Sequence, residues 1–130
     1  MSRRDAYLTA AMPTLRSLDA LEREGLLSPD PRLEAAAQSM AIAVTPEMAA
    51  LIDRADLVHD PIARQFVPSV AETDVAPEEL ADPIGDEFRS PVKGIVHRYP
   101  DRVLLKPLHV CPVYCRFCFR REKVGPGGEA

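Results

Sequence analysis

The sequence predicts an α/β protein in which a layer of short N-terminal helices precedes the first strand and a functional loop of an incomplete β/α barrel. Three observations support this fold class. Cap-and-proline signals divide residues 1–68 into helices. An acidic, proline-bearing stretch at 69–89 indicates a connecting arm. In residues 90–130, an apolar run leads directly into a loop that holds all three cysteines of the chain.

The first two helices are predicted from apolar spacing and helix-stop residues. Residues 14–24 place Leu15, Leu18 and Leu21 at helical spacing, and Gly25 follows as a stop. A second helix is predicted to begin at Ser28-Pro-Asp-Pro-Arg, with Pro31 near its first turn, and to continue to Ile42.

Two further helices begin with a capping residue followed by proline. Thr45 is the expected N-cap of the third helix, with Pro46 at its first position. The apolar positions expected on one face of that helix are Met48, Leu51, Ile52 and Ala55. Asp60 repeats the signal for a short helix that ends before Pro68, and the neighbouring His59 is interpreted as structural.

The second half of the chain has a β-like pattern. A short helical turn is predicted at residues 76–80, and two extended pieces over residues 90–102 are interrupted by Gly94 and Pro100. Residues 102–110 form an apolar run that ends directly at Cys111. Such a run is typical of a buried parallel strand, and loops that follow barrel strands carry chemistry. One parallel strand needs neighbours, so the chain is expected to be a fragment of a larger enzyme.

Composition and charge exclude some classes of function. No secretory leader pattern or apolar run of about 20 residues is present, which argues against a membrane span. Clustered thiols favour a cytoplasmic location. Residues 1–86 carry 7 basic and 16 acidic side chains, whereas residues 87–130 carry 9 and 4. The basic part contains the cysteines, so it is expected to attract anions there. A nucleic-acid partner is not expected, because the pI of 5.4 is low.

The cysteines follow the spacing C-x3-C-x2-C at Cys111, Cys115 and Cys118. Three thiolates suit a [4Fe–4S] cluster that keeps one iron open for another ligand. This is the spacing of the radical S-adenosylmethionine (SAM) enzymes. Two alternatives remain: a non-catalytic Cys3His zinc module completed by His109 or His97, or three ordinary buried thiols.

Four elements in this order resemble the lysine 2,3-aminomutase family. They are Asp82-Pro-Ile, Ser90-Pro-Val-Lys-Gly, His97-Arg-Tyr-Pro-Asp-Arg, and the cysteine motif with the Phe-Arg-Arg that follows it. The resemblance covers residues 60–125 closely and includes the subgroup that β-lysylates elongation factor P. It implies a cytoplasmic radical SAM isomerase that moves the α-amino group of L-lysine, or of another amino acid, to the β-carbon. The route implied is a 5′-deoxyadenosyl radical and a pyridoxal 5′-phosphate (PLP) aldimine.

The resemblance also implies roles for individual residues. Cys111, Cys115 and Cys118 would hold the [4Fe–4S] cluster, and Phe117 would pack near the SAM adenine unless it is a core aromatic. Arg120 would bind the substrate carboxylate, for which a planar guanidinium is suited. The residues implied to lie against PLP and its phosphate are Arg98, Tyr99 and Arg102. For each arginine, the competing interpretation is a surface ion pair.

Other implied features lie beyond these residues. The family's PLP lysine is further downstream, so neither Lys106 nor Lys123 is expected to take its place. Gly127-Gly-Glu resembles the family's SAM-binding element in letters, but it follows Cys118 too soon. The fragment alone is therefore expected to be inactive. The resemblance implies an amino acid substrate and a flavodoxin- or ferredoxin-type electron donor, and it allows a homo-oligomer of the full-length protein.

Overall fold

The computed structural model describes residues 12–125, and the first half of this range is a layer of four short α-helices. The Gly-Gly-Glu stretch at 127–129 lies outside the described residues. The helices are α1 (Leu18–Arg23), α2 (Leu33–Ser39), α3 (Pro46–Leu51) and α4 (Ala63–Phe66), followed by a 3₁₀ helix at Val70–Thr73. Two strands, β1 (Ile95–Tyr99) and β2 (Arg102–Leu105), form an antiparallel pair. The mixed helix and strand content is compatible with the predicted α/β class.

The predicted cap at Thr45 is confirmed, and Asp60 makes local side-chain hydrogen bonds in the turn that leads into α4, whose N-cap position is Ile62. The Thr45 hydroxyl accepts from the Met48 amide at 3.5 Å, and Pro46 is the first residue of α3. The Asp60 carboxylate accepts from the amides of Ile62 and Ala63 at 3.0 and 2.6 Å. Each cap satisfies N–H groups that the first turn of a helix leaves without an intrahelical partner. These contacts fix where α3 and α4 begin.

The first two helices are shorter than predicted. Helix α1 begins only at Leu18, because Leu15 is held in extended conformation by two backbone hydrogen bonds to Val44, at 2.9 and 3.0 Å. Its end follows the prediction, since Gly25 adopts a φ of 67°, which glycine tolerates best. Helix α2 ends at Ser39, and the next residues run extended toward the Val44 bridge.

The predicted apolar face of α3 is wrong in part. Leu51 is 59% exposed, whereas Ala49 and Ile52 are buried. The helix ends at Leu51 and Ile52 is already extended, so helical periodicity no longer decides which side chains face inward. Ala55, beyond that end, is exposed.

The main core lies within the helical layer. Its largest fully buried side chains are Leu21, Leu26 and Val44, and Phe66 of α4 closes it from another side. Val113 and Cys115 of the cysteine loop pack against the same core. The cysteine loop therefore packs against the helical layer. Among the described residues, no helix combines the length and apolar character that crossing a membrane requires.

The strand predicted to be buried and parallel is neither. β2 pairs antiparallel with β1, with Ile95 opposite Leu105 and Tyr99 opposite Arg102, and all four of its residues are exposed. It ends at Leu105, so the residues before Cys111 lie outside the strand. An apolar run does not distinguish a buried strand from one whose apolar side chains remain exposed, and this ambiguity accounts for the error.

Loss of the Asp60 cap is expected to destabilise the helical layer. Asp60→Ala removes the acceptor for two amides at the start of α4, so the free energy of unfolding should fall by about 1–2 kcal/mol. Urea denaturation followed by circular dichroism measures this difference. Glu78→Ala, at an exposed site, is the control and should change stability by less than ~0.5 kcal/mol. Equal losses in the two variants would contradict the cap assignment.

Candidate functional site

The cysteine loop is fastened to the helical layer through its middle residues. Tyr114 is buried together with Met40 and Ala43, and its amide donates to the Ala43 carbonyl at 3.1 Å. The amide of Arg116 donates to the Gln65 carbonyl at 2.7 Å. These backbone contacts, one on each side of Cys115, set the position of that thiol relative to the helices.

The side chain of Arg116 is the strongest of these attachments. It is only 4% exposed and donates to the carbonyls of Ala36, Met40 and Ala41 at 3.0–3.2 Å. It also forms a paired contact with the Glu72 carboxylate, with a shortest distance of 2.7 Å. A buried guanidinium must be paired and hydrogen-bonded, and this one reaches residues 44 to 80 positions earlier in the chain. The loop is thereby held by the end of α2 and the 3₁₀ helix.

The three thiols differ in exposure. Cys111 is exposed, Cys115 and Cys118 are partly buried, and all three are free. Burial raises the pKa of the Cys115 thiol, and the neighbouring Cys118 and Cys111 add to the effect. In the part of the chain that the structure describes, no group of three or more Cys, His, Asp or Glu side chains is gathered closely enough to hold a metal ion. The donor set itself, three free thiols in one loop, fits the soft ligation of an iron–sulfur cluster.

The histidines that could complete a zinc site lie apart from this geometry. His97 is exposed on β1. His109 lines a different cavity, of about 620 Å³, together with Lys106 and Lys123. Its Nε2 atom is buried and has no hydrogen-bond partner among the described residues. No observation therefore favours the zinc module.

The four residues singled out for PLP and substrate line one cavity of about 480 Å³. Its wall includes Arg98, Tyr99, Arg102 and Arg120, with Asp86 among the remaining lining residues. Arg102 pairs with the exposed Asp101 at 2.7 Å and lies over the Tyr99 ring at 5.6 Å. The structure thus brings together side chains from β1, from β2 and from the end of the cysteine loop. Three guanidinium groups around one space give this cavity a basic lining, which favours anions.

Asp86 is the acidic centre of this cavity. Its side chain is 7% exposed, and it accepts from Arg120 Nε at 2.7 Å. Arg98 Nη2 lies 3.6 Å and Lys106 Nζ 3.8 Å from the same carboxylate. One buried carboxylate therefore faces three cations, and the surroundings remain positive.

A turn built by Asp82 holds Asp86 in place. The Asp82 carboxylate accepts from the amides of Glu87 and Asp86 at 2.8 and 2.9 Å. These backbone hydrogen bonds lower the pKa of Asp82, because they favour its ionised form. The turn is therefore stabilised above the ordinary carboxyl pKa of about 3.9, and this stabilisation is lost as the pH falls through the lowered pKa of the folded state.

Phe117 lies outside the arginine-lined cavity. It is 67% exposed and borders a separate cavity of about 620 Å³, which is also lined by Arg116 and Glu72. It is therefore not a core aromatic.

Sequence reasoning missed Asp86, Arg116 and Glu72. Asp86 lies in the segment predicted to be a connecting arm, and the spacing of the cysteine motif assigns no role to Arg116. The available signal for Arg116 was its position within the cysteine motif, between Cys115 and Cys118. No local signal identified the partner, because Glu72 is 44 residues away.

In comparisons with known proteins, the chain is similar in sequence to part of several amino acid 2,3-aminomutases. The chain is 41% identical over 93 residues to the L-lysine 2,3-aminomutase of Clostridium subterminale, covering 72% of this chain and 22% of that protein. It is 36% identical over 117 residues to the enzyme of the same name from Bacillus subtilis, covering 88% of this chain and 25% of that protein. The glutamate 2,3-aminomutase of Clostridioides difficile is 39% identical over 83 residues, covering 64% of this chain and 19% of that protein.

The resemblance predicted from the motifs is confirmed: this chain is homologous to the lysine 2,3-aminomutases. It spans about a fifth to a quarter of the length of the curated relatives it matches. No protein-family model matches the chain.

Removal of the Arg116 side-chain charge is expected to release the cysteine loop. Arg116→Met leaves Glu72 and three carbonyls without their donor, so the free energy of unfolding should fall by about 3–5 kcal/mol. Amide exchange of residues 111–119 should accelerate as well, measured by mass spectrometry. Arg121→Met is the matched control, because Arg121 makes an exposed contact with Ser39 and should cost less than ~1 kcal/mol. Equal effects in both variants would show that the anchor is not Arg116.

Proposed function

We propose that this chain supplies the cluster-binding and anion-binding part of a radical SAM, PLP-dependent aminomutase. The complete enzyme would move the α-amino group of L-lysine to the β-carbon. The observation that carries the proposal is the gathering of Arg98, Tyr99, Arg102 and Arg120 around one cavity. The homologues named lysine 2,3-aminomutase support it, since the same residues were singled out by the resemblance to that family.

Cys111, Cys115 and Cys118 would hold the [4Fe–4S] cluster. When bound, the cluster and SAM would supply the radical that removes hydrogen from the substrate, and PLP would supply the carrier of the migrating nitrogen. The contribution of this segment is to position the cysteine loop, because Arg116 binds the loop to the helical layer through Ala36 and Glu72. Burial raises the pKa of the Cys115 thiol, and cluster binding, which requires the thiolate, would act against this shift.

The cavity side chains suit two anions, a phosphate and a carboxylate. Arg102 has an exposed aspartate as its partner, which an incoming anion can displace at low cost. Arg120 is 29% exposed on its side chain and directs its inner Nε toward Asp86. We assign the phosphate of PLP to the side of Arg98, Tyr99 and Arg102, and the substrate carboxylate to Arg120. A planar guanidinium can bind a carboxylate through two parallel hydrogen bonds.

The β1–β2 pair is proposed to belong to the radical SAM β/α barrel of the complete enzyme. Val103 and Leu105 on β2 are 52% and 65% exposed, and Leu108 beyond the strand is 60% exposed. Exposure of several adjacent apolar side chains to water is energetically unfavourable. We therefore expect further parts of the enzyme to cover this surface. On this proposal, residues 1–68 are the helical region, 69–89 the arm and 90–130 the start of the barrel.

The choice of L-lysine is the finer part of the proposal. Relatives named for lysine and for glutamate both match this chain, which supports a role of the shared segment in recognising the α-amino acid group that these substrates have in common. Arg120 would serve any amino acid through its carboxylate. Turnover assays with lysine, glutamate and arginine, run on the protein that carries this segment, separate these substrates. Exclusive turnover of an amino acid other than lysine would contradict the lysine assignment.

The cluster assignment is tested by reconstitution of the chain. Anaerobic treatment with iron and sulfide should give a protein with the optical and EPR signals of a [4Fe–4S] cluster, altered on addition of SAM. Cys115→Ala should lose these signals, because two thiolates do not hold the cluster. Phe119→Leu, next to the motif, is the control and should retain them. A tetrahedral zinc site with no cluster formed would support the zinc module instead.

Arg120→Lys is expected to impair turnover without loss of the cluster. Lysine keeps the charge but loses the planar fork, and a misplacement of ~1 Å can cost about a hundredfold in rate. The value of kcat/KM for the amino acid should therefore fall by ~10²-fold, with iron content unchanged. Arg121→Lys is the matched control, since Arg121 contacts the exposed Ser39 instead of this cavity. A loss of less than about fivefold in Arg120→Lys would make Arg120 a surface ion-pair partner.

A further inference from the structure

We propose that Asp86 is a positioning residue that presets the Arg120 guanidinium to receive a carboxylate. The inference rests on the proposed function, in which Arg120 binds the α-carboxylate of an amino acid. Asp86 was not singled out by any sequence motif, and its role follows from the contacts that surround Arg120.

The contact between the two side chains uses only the inner nitrogen of the guanidinium. Arg120 Nε donates to Asp86 Oδ2 at 2.7 Å. Within residues 12–125, neither terminal nitrogen of Arg120 donates to a protein acceptor. The Arg120 side chain is 29% exposed, whereas that of Asp86 is 7% exposed. Asp86 therefore binds Nε of Arg120 and leaves the two terminal nitrogens of the guanidinium for a ligand.

A second contact restrains the plane of the guanidinium. Arg120 Cζ lies 4.8 Å from the centroid of the Phe119 ring, within the range of a cation–π interaction. The aspartate fixes the direction of the Nε–H bond, and the ring fixes the face. With both restraints present, little rotamer freedom remains to be lost when a carboxylate binds, which increases affinity.

Asp86 is itself held from several directions. Its amide donates to the Asp82 carboxylate at 2.9 Å, and its carbonyl accepts from the Ser90 hydroxyl at 2.7 Å. On the side-chain side, Arg98 and Lys106 lie 3.6 and 3.8 Å from the carboxylate. Asp86 is thus a rigid support, and it connects the arginine assigned to the substrate with one assigned to PLP.

Simple electrostatics predicts the opposite effect of removing Asp86. Three cations face this one carboxylate, so its loss makes the surroundings more positive and should strengthen the binding of any anion. Positioning predicts weaker binding, because the guanidinium loses its orientation. The sign of the change therefore separates the two explanations.

The experiment uses the 130-residue chain, labelled with ¹⁵N, and acetate as the probe. The Nε–Hε signal of Arg120 is followed during titration, and the initial slope of its shift against acetate concentration measures binding. In Asp86→Ala the slope should fall by about tenfold, the size of one charge-assisted hydrogen bond. In Asp86→Asn, which keeps an acceptor oxygen for Nε–H, most of the slope should return. Asp101→Ala, which frees Arg102 from its exposed partner, is the control and should leave the Arg120 slope within about twofold.

An unchanged or steeper slope in Asp86→Ala would overturn the proposal. Should that variant fail to fold, as judged by its amide spectrum, hydrogen exchange in the unmodified chain decides. The Nε–H of Arg120 should exchange about tenfold more slowly than that of Arg121, whose contact with Ser39 is exposed. Equal exchange rates would also overturn the proposal.

The same samples separate this inference from the proposed function. Iron and sulfide uptake by the unmodified chain tests the cluster, and it does not depend on Asp86. Absence of a cluster together with a lost acetate response in Asp86→Ala would reject the proposed enzyme but keep the positioning role. A cluster together with an unchanged acetate response in Asp86→Ala would reject the positioning role but keep the proposed enzyme.

Discussion

The rest of the structure depends on the buried guanidinium of Arg116. An arginine that is 4% exposed on its side chain is stable only where its donors are met, and here three carbonyls and the Glu72 carboxylate meet them. The carbonyls belong to the end of α2 and the segment after it, and Glu72 belongs to the 3₁₀ helix. Because these partners belong to segments 44 to 80 residues earlier in the chain, they fix where the cysteine loop lies against the helical layer.

The molecule has a second buried charge of opposite sign, and its surroundings differ in a way that matters for function. Arg116 is enclosed by three carbonyls and the Glu72 carboxylate, so its environment is closed. Asp86 faces cations that remain partly accessible, with Arg120 29% and Arg98 35% exposed on their side chains. The first arrangement stabilises a loop, whereas the second leaves positive groups available to an anion. Asp86 precedes the cysteine motif in sequence, whereas Arg116 lies within it, between Cys115 and Cys118.

The cysteine loop is buried on one side and open on the other. Tyr114 and Arg116 face the helical layer and are 2% and 5% exposed, whereas Phe117 and Phe119 are 67% and 49% exposed. An alternation of buried and exposed side chains along a loop is typical of a segment that is fixed from behind and presents a working surface. The exposed apolar residues of β2 extend this surface.

The sequence by itself determined the features that depend on neighbours within a few residues. The caps at Thr45 and Asp60 and the stop at Gly25 were predictable, because each involves a side chain or φ angle that acts within three or four positions. The cysteine spacing and the motifs with their arginines were likewise legible as a pattern, which the comparisons confirm as a family resemblance.

Only the tertiary structure decided the pairing of distant groups. The antiparallel partner of β2, the exposure of its apolar residues and the early end of α3 contradicted the local pattern. Arg116 finds its acceptors 44 to 80 residues away, and Arg120 finds Asp86 34 residues away. Hydrogen bonds and ion pairs between buried charges require the chain to have folded first. Their partners are selected by packing in three dimensions, which no local pattern of residues contains.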